Sequence, residues 1–221
     1  MIPKKAIIFD LDQTILDRTT SLIKFLNWQI NFFQLVSTMK KEFFIQRFLE
    51  LDDNGKIWKD SVYEQLIHEF SIDHVTYDRL LSSYINDFNK FSCCFKNVES
   101  TIIELREQGY LIGLISNGRT SFQEHNFYAL GLTTFFSSII ISEAVGIRKP
   151  DPEIFLLCCK ELDVCPKNCI FVGDNEVADI QGAKAVGMKT IFFHPDPSIT
   201  SLIADATLHY YTNLIDLLKT I

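Results

Sequence analysis

The chain has 221 residues, of which 47% are hydrophobic and 22% charged, a balance that excludes disordered, collagen-like and coiled-coil proteins. A formal net charge of −7 disfavours broad attraction to nucleic acid or to an anionic membrane surface, so a phosphate-bearing partner needs a local site. Six cysteines without a CxxC pair favour reduced thiols in a cytoplasmic protein over disulfides or a zinc site.

Short apolar runs separated by amphipathic stretches predict buried strands of a parallel sheet. These runs occupy residues 6–9, 111–115, 139–141, 169–172 and 190–193. The expected fold class is therefore α/β. Because the carboxyl ends of parallel strands lie along one edge, the polar residues that follow the runs should meet there.

The stretch from residue 16 to residue 96 interrupts this alternation and is predicted to be an inserted helical domain. Apolar residues recur in it at helical spacing, as at Leu22, Phe25 and Leu26. The α/β core then comprises residues 1–15 and 97–221. Polar side chains break up the most apolar stretch, 22–36, which is too polar to span a bilayer.

Ten of the 19 phenylalanines lie in this helical block, and most are expected to form its core. Adjacent residues on a helix cannot both face one core. The pairs Phe32–Phe33 and Phe43–Phe44 therefore predict some exposed rings.

Helices are also expected between and after the later strands. They are predicted over residues 98–107, 120–130, from 152 onward, 177–186 and 214–220. Asp151 is the expected N-cap of the helix that starts at Pro152, and either Asp174 or Asn175 could cap the helix that follows.

Two carboxylates follow the first strand directly, in the sequence DLDQT. If the extended geometry persists, the two-residue spacing puts Asp10 and Asp12 on one side, where their charges need a cation or a shared proton. An exposed turn is the alternative explanation, because Asp is common in turns.

Other polar residues follow the later strands. Ser116 and Asn117 could hold phosphate oxygens, and Lys149 precedes a helix start that favours an anion. Asp174 and Asp179 add two carboxylates after the fourth run. Each feature alone is also typical of a turn, a surface charge or a helix cap.

Together, the four aspartates and one lysine carry a formal charge of −3, which repels an anionic substrate. A hard divalent cation reverses this sign locally, and an all-oxygen ligand set favours Mg²⁺. The combination predicts metal-assisted phosphoryl transfer.

The ordered motifs DLDQT, SNG, GIRKPDPEIF and VGDNEVAD resemble those of the haloacid dehalogenase superfamily. The resemblance covers nearly the whole chain, and the helical block matches the cap domain that one branch inserts after the first motif. It implies a Rossmann-like parallel sheet core with an inserted helical cap.

The resemblance also implies residue roles. Asp10 corresponds to the nucleophile that forms an aspartyl-phosphate, and Asp12 to the general acid and base. Lys149 corresponds to the catalytic cation that steadies the nucleophile and the transferring group. The other implied roles are phosphate binding by Ser116, Asn117 and Lys149, metal binding by Asp174 with Asp10 and the Asp12 backbone carbonyl, and support by Thr14 and Asp179.

Members that cleave carbon–halogen bonds lack the second Asp, so Asp12 favours a phosphatase. The leading expectation is a Mg²⁺-dependent phosphatase that hydrolyses a small phosphorylated metabolite. A sugar phosphomutase and a catalytically weak phosphate-binding regulatory protein are the alternatives. A homo-oligomer is compatible with the sequence, but nothing in it indicates one.

One residue departs from the family pattern. Gln13 stands where many relatives have Gly, a residue that tolerates positive φ. A glutamine side chain needs more room than glycine, so this departure affects the expected geometry of the turn after the first strand.

Overall fold

In a computed structural model, which describes residues 5–221, the chain forms two units. The core unit takes in the chain up to Asp17 together with Cys93–Ile221, and the helical unit is Arg18–Ser92. The predicted insertion, 16–96, extends a few residues beyond the helical unit at each end.

The core unit contains one sheet of six parallel strands in the order β3-β2-β1-β4-β5-β6. The strands are β1 Ala6–Phe9, β2 Leu111–Ser116, β3 Ser138–Ile141, β4 Cys169–Gly173, β5 Lys189–Phe193 and β6 Ala206–Leu208. The α/β class and the five predicted strands are confirmed. The prediction missed β6, which has three residues and no continuous apolar run.

Strand β1 lies at the centre of the sheet, and all four of its residues are buried. It pairs with β2 on one side and with β4 on the other, so that Phe9 lies opposite Leu114 and Val172. The strand order reverses between β1 and β4, the place where open α/β sheets bind ligands. This geometry brings the residues after β1, β2 and β4 to one edge.

The helical unit contains four α-helices, α1 Arg18–Phe33, α2 Lys41–Asp52, α3 Lys59–Phe70 and α4 Tyr77–Asp87. Phe25, Phe44 and Phe48 are fully buried in its core. Phe32 and Phe43 are each 62% exposed, which confirms that the adjacent pairs contain surface rings.

Six α-helices belong to the core unit, α5 Val98–Glu107, α6 Thr120–Ala129, α7 Ser142–Val145, α8 Pro152–Leu162, α9 Gly182–Ala185 and α10 Leu214–Leu217. Asp151 caps α8 as predicted, because its Oδ1 accepts from the Glu153 N–H at 3.0 Å. Phe155 and Cys158 on α8 pack with Ile8 and Phe171 of the sheet in one buried cluster.

Two predicted helices differ from the structure. The segment expected to be one helix over 177–186 is a π-helix, Glu176–Gln181, followed by α9, and the last helix ends at Leu217 rather than Thr220. Short 3₁₀ turns occupy Thr38–Lys40, Asp53–Gly55, Phe88–Phe91, Thr133–Phe135, Pro166–Asn168 and Tyr211–Asn213.

Candidate active site

The turn after β1 carries the DLDQT motif. The Asp10 N–H donates to the Val172 carbonyl at 2.9 Å, which extends the β1–β4 pairing by one residue. Ile15 and Leu16 N–H groups both bond to the Leu11 carbonyl and close the turn. Gln13 adopts a φ of 57°, so this position requires the left-handed conformation and glutamine occupies it.

Lys149 connects two of the predicted carboxylates. Its Nζ lies 2.5 Å from Asp10 Oδ1 and 2.7 Å from Asp179 Oδ1, and all three side chains are buried. The Asn175 N–H donates to Asp179 Oδ2 at 3.0 Å. A Cβ at Gly173 would collide with the Asp179 carboxylate, so glycine at the end of β4 makes room for this arrangement.

Asn175, not Asp174, caps the π-helix. Its Oδ1 accepts from the N–H groups of Val177 and Ala178 at 3.0 and 2.8 Å. Asp174 is therefore not used for capping. One oxygen each of Asp10, Asp174 and Asp179 lie within 4.8 Å of one another.

This carboxylate group fits a hard cation. Three carboxylates lie close together, the Lys149 ammonium pairs with two of them, and oxygen is the ligand atom that Mg²⁺ prefers. Lys149 and the Asn175 N–H engage both oxygens of Asp179, whereas Lys149 contacts Asp10 through Oδ1, so Asp10 and Asp174 are the side chains that could bind a metal ion.

The excess of negative charge is reflected in the titration of the cluster. Burial, together with the neighbouring carboxylates and against the attraction of Lys149, raises the pKa of Asp10 from 3.8 to about 7. Burial, then Asp10 and Asp179, raise the pKa of Asp174 well above its usual value. Burial would lower the pKa of Lys149, but Asp10 and Asp179 outweigh it and raise that pKa.

The two predicted phosphate-binding residues after β2, Ser116 and Asn117, differ in what their side chains contact. Ser116 ends β2 and is fully buried. The Asn117 side chain is bonded to the backbone of Lys149 at both ends, since its Nδ2 donates to the Lys149 carbonyl and its Oδ1 accepts from the Lys149 N–H, each at 2.9 Å. This amide therefore positions Lys149, and substrate binding by Asn117 stays a prediction.

Thr14 lies in the motif turn and is fully buried. Its backbone carbonyl accepts from the hydroxyl of Tyr211 at 2.9 Å. This bond joins the turn to the C-terminal part of the chain, and the supporting role of Thr14 stays a prediction.

One residue at this site was not found in the sequence. Gln123 on α6 donates from Nε2 to Asp12 Oδ2 at 2.6 Å and to Ser116 Oγ at 2.8 Å. The signal available was a glutamine on the same helical face as buried Phe127, four residues later. The sequence predicted a helix over 120–130 without singling out any residue on it.

The sequence and fold are similar to those of known proteins. Residues 7–193 match the model of the haloacid dehalogenase-like hydrolase family. Glyceraldehyde 3-phosphate phosphatase of Pyrococcus furiosus is 41% identical over 93 residues, which cover 42% of this chain and 39% of that protein. Ribulose-1,5-bisphosphate 5-phosphatase of Halopiger xanaduensis is 31% identical over 152 residues, or 64% of this chain and 62% of that one.

The matched segment thus spans about two fifths of the Pyrococcus protein. Among solved structures, a phosphatase of the same family from Thermococcus onnurineus is similar over 97% of both chains, with a TM-score of 0.64 and 25% identity. Within residues 5–221, no helix combines the length and the apolar character needed to cross a bilayer.

Proposed function

The chain belongs to the haloacid dehalogenase-like hydrolase family, and from this membership we propose that it is a Mg²⁺-dependent phosphatase. Its substrate is a small phosphomonoester, and the reaction passes through a phosphorylated Asp10. The observation that carries the proposal is the buried Lys149 ammonium between Asp10 and Asp179, with the Asp174 carboxylate in the same group.

In the first step, a carboxylate oxygen of Asp10 attacks phosphorus and the bond to the ester oxygen breaks. Lys149 contacts Oδ1 of Asp10, which makes Oδ2 the attacking oxygen. Asp12 gives its proton to the departing oxygen, so that the alcohol leaves neutral.

In the second step, water attacks the phosphorus of the aspartyl-phosphate. Asp12, now ionised, takes a proton from that water, and the bond between phosphorus and the Asp10 oxygen breaks. Inorganic phosphate leaves, and both aspartates return to their starting states.

The remaining residues stabilise charge and position. Lys149 supplies positive charge next to the attacked phosphoryl group, and Ser116 offers a hydroxyl to a phosphate oxygen. Asp10 and Asp174 would hold Mg²⁺. When bound, this ion neutralises phosphate charge in a cluster where carboxylates outnumber the ammonium.

The substrate class is proposed from the relatives and from the site. The curated relatives named above act, by their names, on small phosphorylated sugars. The cluster offers oxygen ligands and one ammonium, which suit a metal-bound phosphomonoester. We therefore place the substrate among small phosphorylated metabolites.

The test is a phosphate-release screen over sugar phosphates, nucleotides and phosphorylated acids with Mg²⁺, and with EDTA as the metal-free arm. We expect Mg²⁺-dependent release from one class and none with Asp10→Asn. Full turnover by Asp10→Asn would overturn the proposal. Sugar isomerisation without phosphate release would favour a phosphomutase, and failure to turn over any phosphate ester would favour a phosphate-binding regulatory protein.

A further inference from the structure

Gln123 joins two residues that come from different strands of the sheet. Its Nε2 lies 2.6 Å from Oδ2 of Asp12, in the turn after β1, and 2.8 Å from Oγ of Ser116, at the end of β2. The same nitrogen lies 3.3 Å from the Asn117 carbonyl. A single amide group therefore links the proposed acid–base residue to the proposed phosphate-binding hydroxyl.

The local structure is arranged around this side chain. Gln123 is 3% exposed, although it is polar. A Cβ on Gly118 would approach the Gln123 side chain to 2.7 Å, so the glycine five residues earlier leaves the space in which that side chain lies. No described residue bonds to Gln123 Oε1, although this atom is buried. The fold thus accepts an unpaired carbonyl oxygen, which costs free energy, while the nitrogen keeps its bonds.

The hydrogen-bond directions have consequences for both partners. An amide nitrogen donates and does not accept, so Ser116 Oγ is the acceptor of its bond with Gln123. The Ser116 hydroxyl hydrogen then remains to be donated elsewhere, as binding of a phosphate oxygen requires. Asp12 Oδ2 is also an acceptor, which leaves Oδ1 to carry the transferred proton.

The chemistry of an amide suits this position. Asp12 must be protonated before the ester bond breaks and ionised before water attacks. An N–H group can donate to Oδ2 in both states, because Oδ2 is an acceptor in the acid and in the carboxylate. A second carboxylate here would repel the ionised form, and an apolar side chain would leave the Asp12 rotamer unrestrained.

We propose that Gln123 is a positioning residue that aligns Asp12 for proton transfer and directs the Ser116 hydroxyl toward the substrate phosphate. The proposal rests on the proposed phosphatase function. It predicts that loss of Gln123 impairs proton donation to the leaving group, which a purely structural defect would not do selectively.

The test compares two substrates of nearly equal size, p-nitrophenyl phosphate and phenyl phosphate. The leaving p-nitrophenolate needs little protonation, whereas phenolate is a much stronger base and depends on the general acid. The enzyme is assayed with Mg²⁺ as wild type and as Gln123→Met. Asp12→Asn is the reference for a lost general acid, and Gln108→Met is the control because Gln108 is an exposed glutamine of the core unit.

We expect Gln123→Met to lower kcat/KM for phenyl phosphate at least about tenfold more than for p-nitrophenyl phosphate, the size of a modest loss of general acid catalysis. Gln108→Met should show no such selectivity. Equal losses on both substrates, or no loss, would overturn the role of Gln123 and leave the phosphatase proposal intact. A wild-type enzyme inactive on both esters and throughout the phosphate-release screen would overturn both.

A second variant protects the test against misfolding. If Gln123→Met does not fold, Gly118→Ala displaces the same side chain by its added Cβ while retaining the amide. It should reproduce the selective loss on phenyl phosphate. A folded Gly118→Ala enzyme with wild-type ratios for the two substrates would contradict the proposal.

Discussion

Each unit of this protein contains a buried ionic cluster, and the two clusters are opposite in charge balance. In the core unit, the carboxylates of Asp10, Asp174 and Asp179 lie close together, and the Lys149 ammonium pairs with Asp10 and Asp179. In the helical unit, the single carboxylate of Asp52 contacts two cations.

In the cluster of the helical unit, both oxygens of the Asp52 carboxylate accept hydrogen bonds. Arg18 donates to both oxygens of Asp52, at 2.8 and 3.0 Å, and the Gly55 N–H donates at 2.9 Å. Lys59 forms an ion pair with the same group. Burial alone would raise the pKa of Asp52, but Arg18 and Lys59 outweigh it and lower that pKa. This arrangement ties α1, α2 and α3 together.

The cluster of the core unit has the opposite property, because its carboxylates compete for one cation. The pKa of Asp10 is raised to about 7, so the site favours a proton or a metal ion. Burial of charge alone therefore does not indicate function. An excess of carboxylate over its partners is the feature that marks the candidate active site.

The sharpest test of this contrast is the removal of one charge from each cluster. Asp10→Asn should lower kcat at least about 10³-fold, because loss of a nucleophile leaves only binding and electrostatic stabilisation. Metal-free thermal unfolding should show no loss of stability, since Lys149 keeps its ion pair with Asp179. The assay is phosphate release, with Asp216→Asn at an exposed ion pair as the control.

Asp52→Asn, unlike Asp10→Asn, should destabilise the folded protein. It leaves two buried cations without their counterion, a change that costs about 3–5 kcal/mol. Urea unfolding followed by circular dichroism measures it, and Asp53→Asn is the control because Asp53 pairs with exposed Lys56. A loss no greater than that of the control would mean that the Asp52 ion pairs contribute little to the helical unit.

Stabilisation by Mg²⁺, and its dependence on pH, should further distinguish the core cluster from the cluster of the helical unit. A ligand at 100 times its Kd stabilises the folded state by about 2.7 kcal/mol, and we expect Mg²⁺ to reach this range. The increment should grow from pH 5 to pH 8, because Asp10 with a pKa of about 7 must lose its proton to bind the ion. Thermal melts with and without Mg²⁺ test this, and Asp174→Asn should abolish the increment.

Without metal, the two clusters should depend on pH in opposite directions. Asp10 has a raised pKa in the folded state, so its contribution to stability is full below about 3.8 and is lost as the pH rises through about 7. Asp52 has a lowered pKa, so its contribution is present above the pKa of the unfolded chain and is lost in acid. The difference in unfolding free energy between wild type and Asp10→Asn should therefore fall as the pH rises. The difference between wild type and Asp52→Asn should instead rise with pH.

How far the sequence predicts these features depends on the range of the interaction. Continuous apolar runs identified five strands, and the strand ends placed Asp10 and Asp174 at one edge. Strand β6 was too short to recognise. The bonds from Gln123 to Asp12 and from Arg18 to Asp52 join residues 111 and 34 positions apart, and a single sequence contains no signal for such pairs.

The variant with the smallest expected effect tests whether hydrogen-bond geometry, in addition to charge, stabilises the ionic cluster of the helical unit. Arg18→Lys keeps the charge but loses the paired donation to both Asp52 oxygens, and we expect about 1 kcal/mol of destabilisation. Arg47→Lys is the matched control, because Arg47 donates to both oxygens of Glu69 at 2.8 Å in the same unit, but at the surface. Exposed ion pairs contribute little, so this control should lower stability less than Arg18→Lys does. Equal losses in the two variants, measured by urea unfolding, would show that burial adds nothing to the Arg18–Asp52 pair.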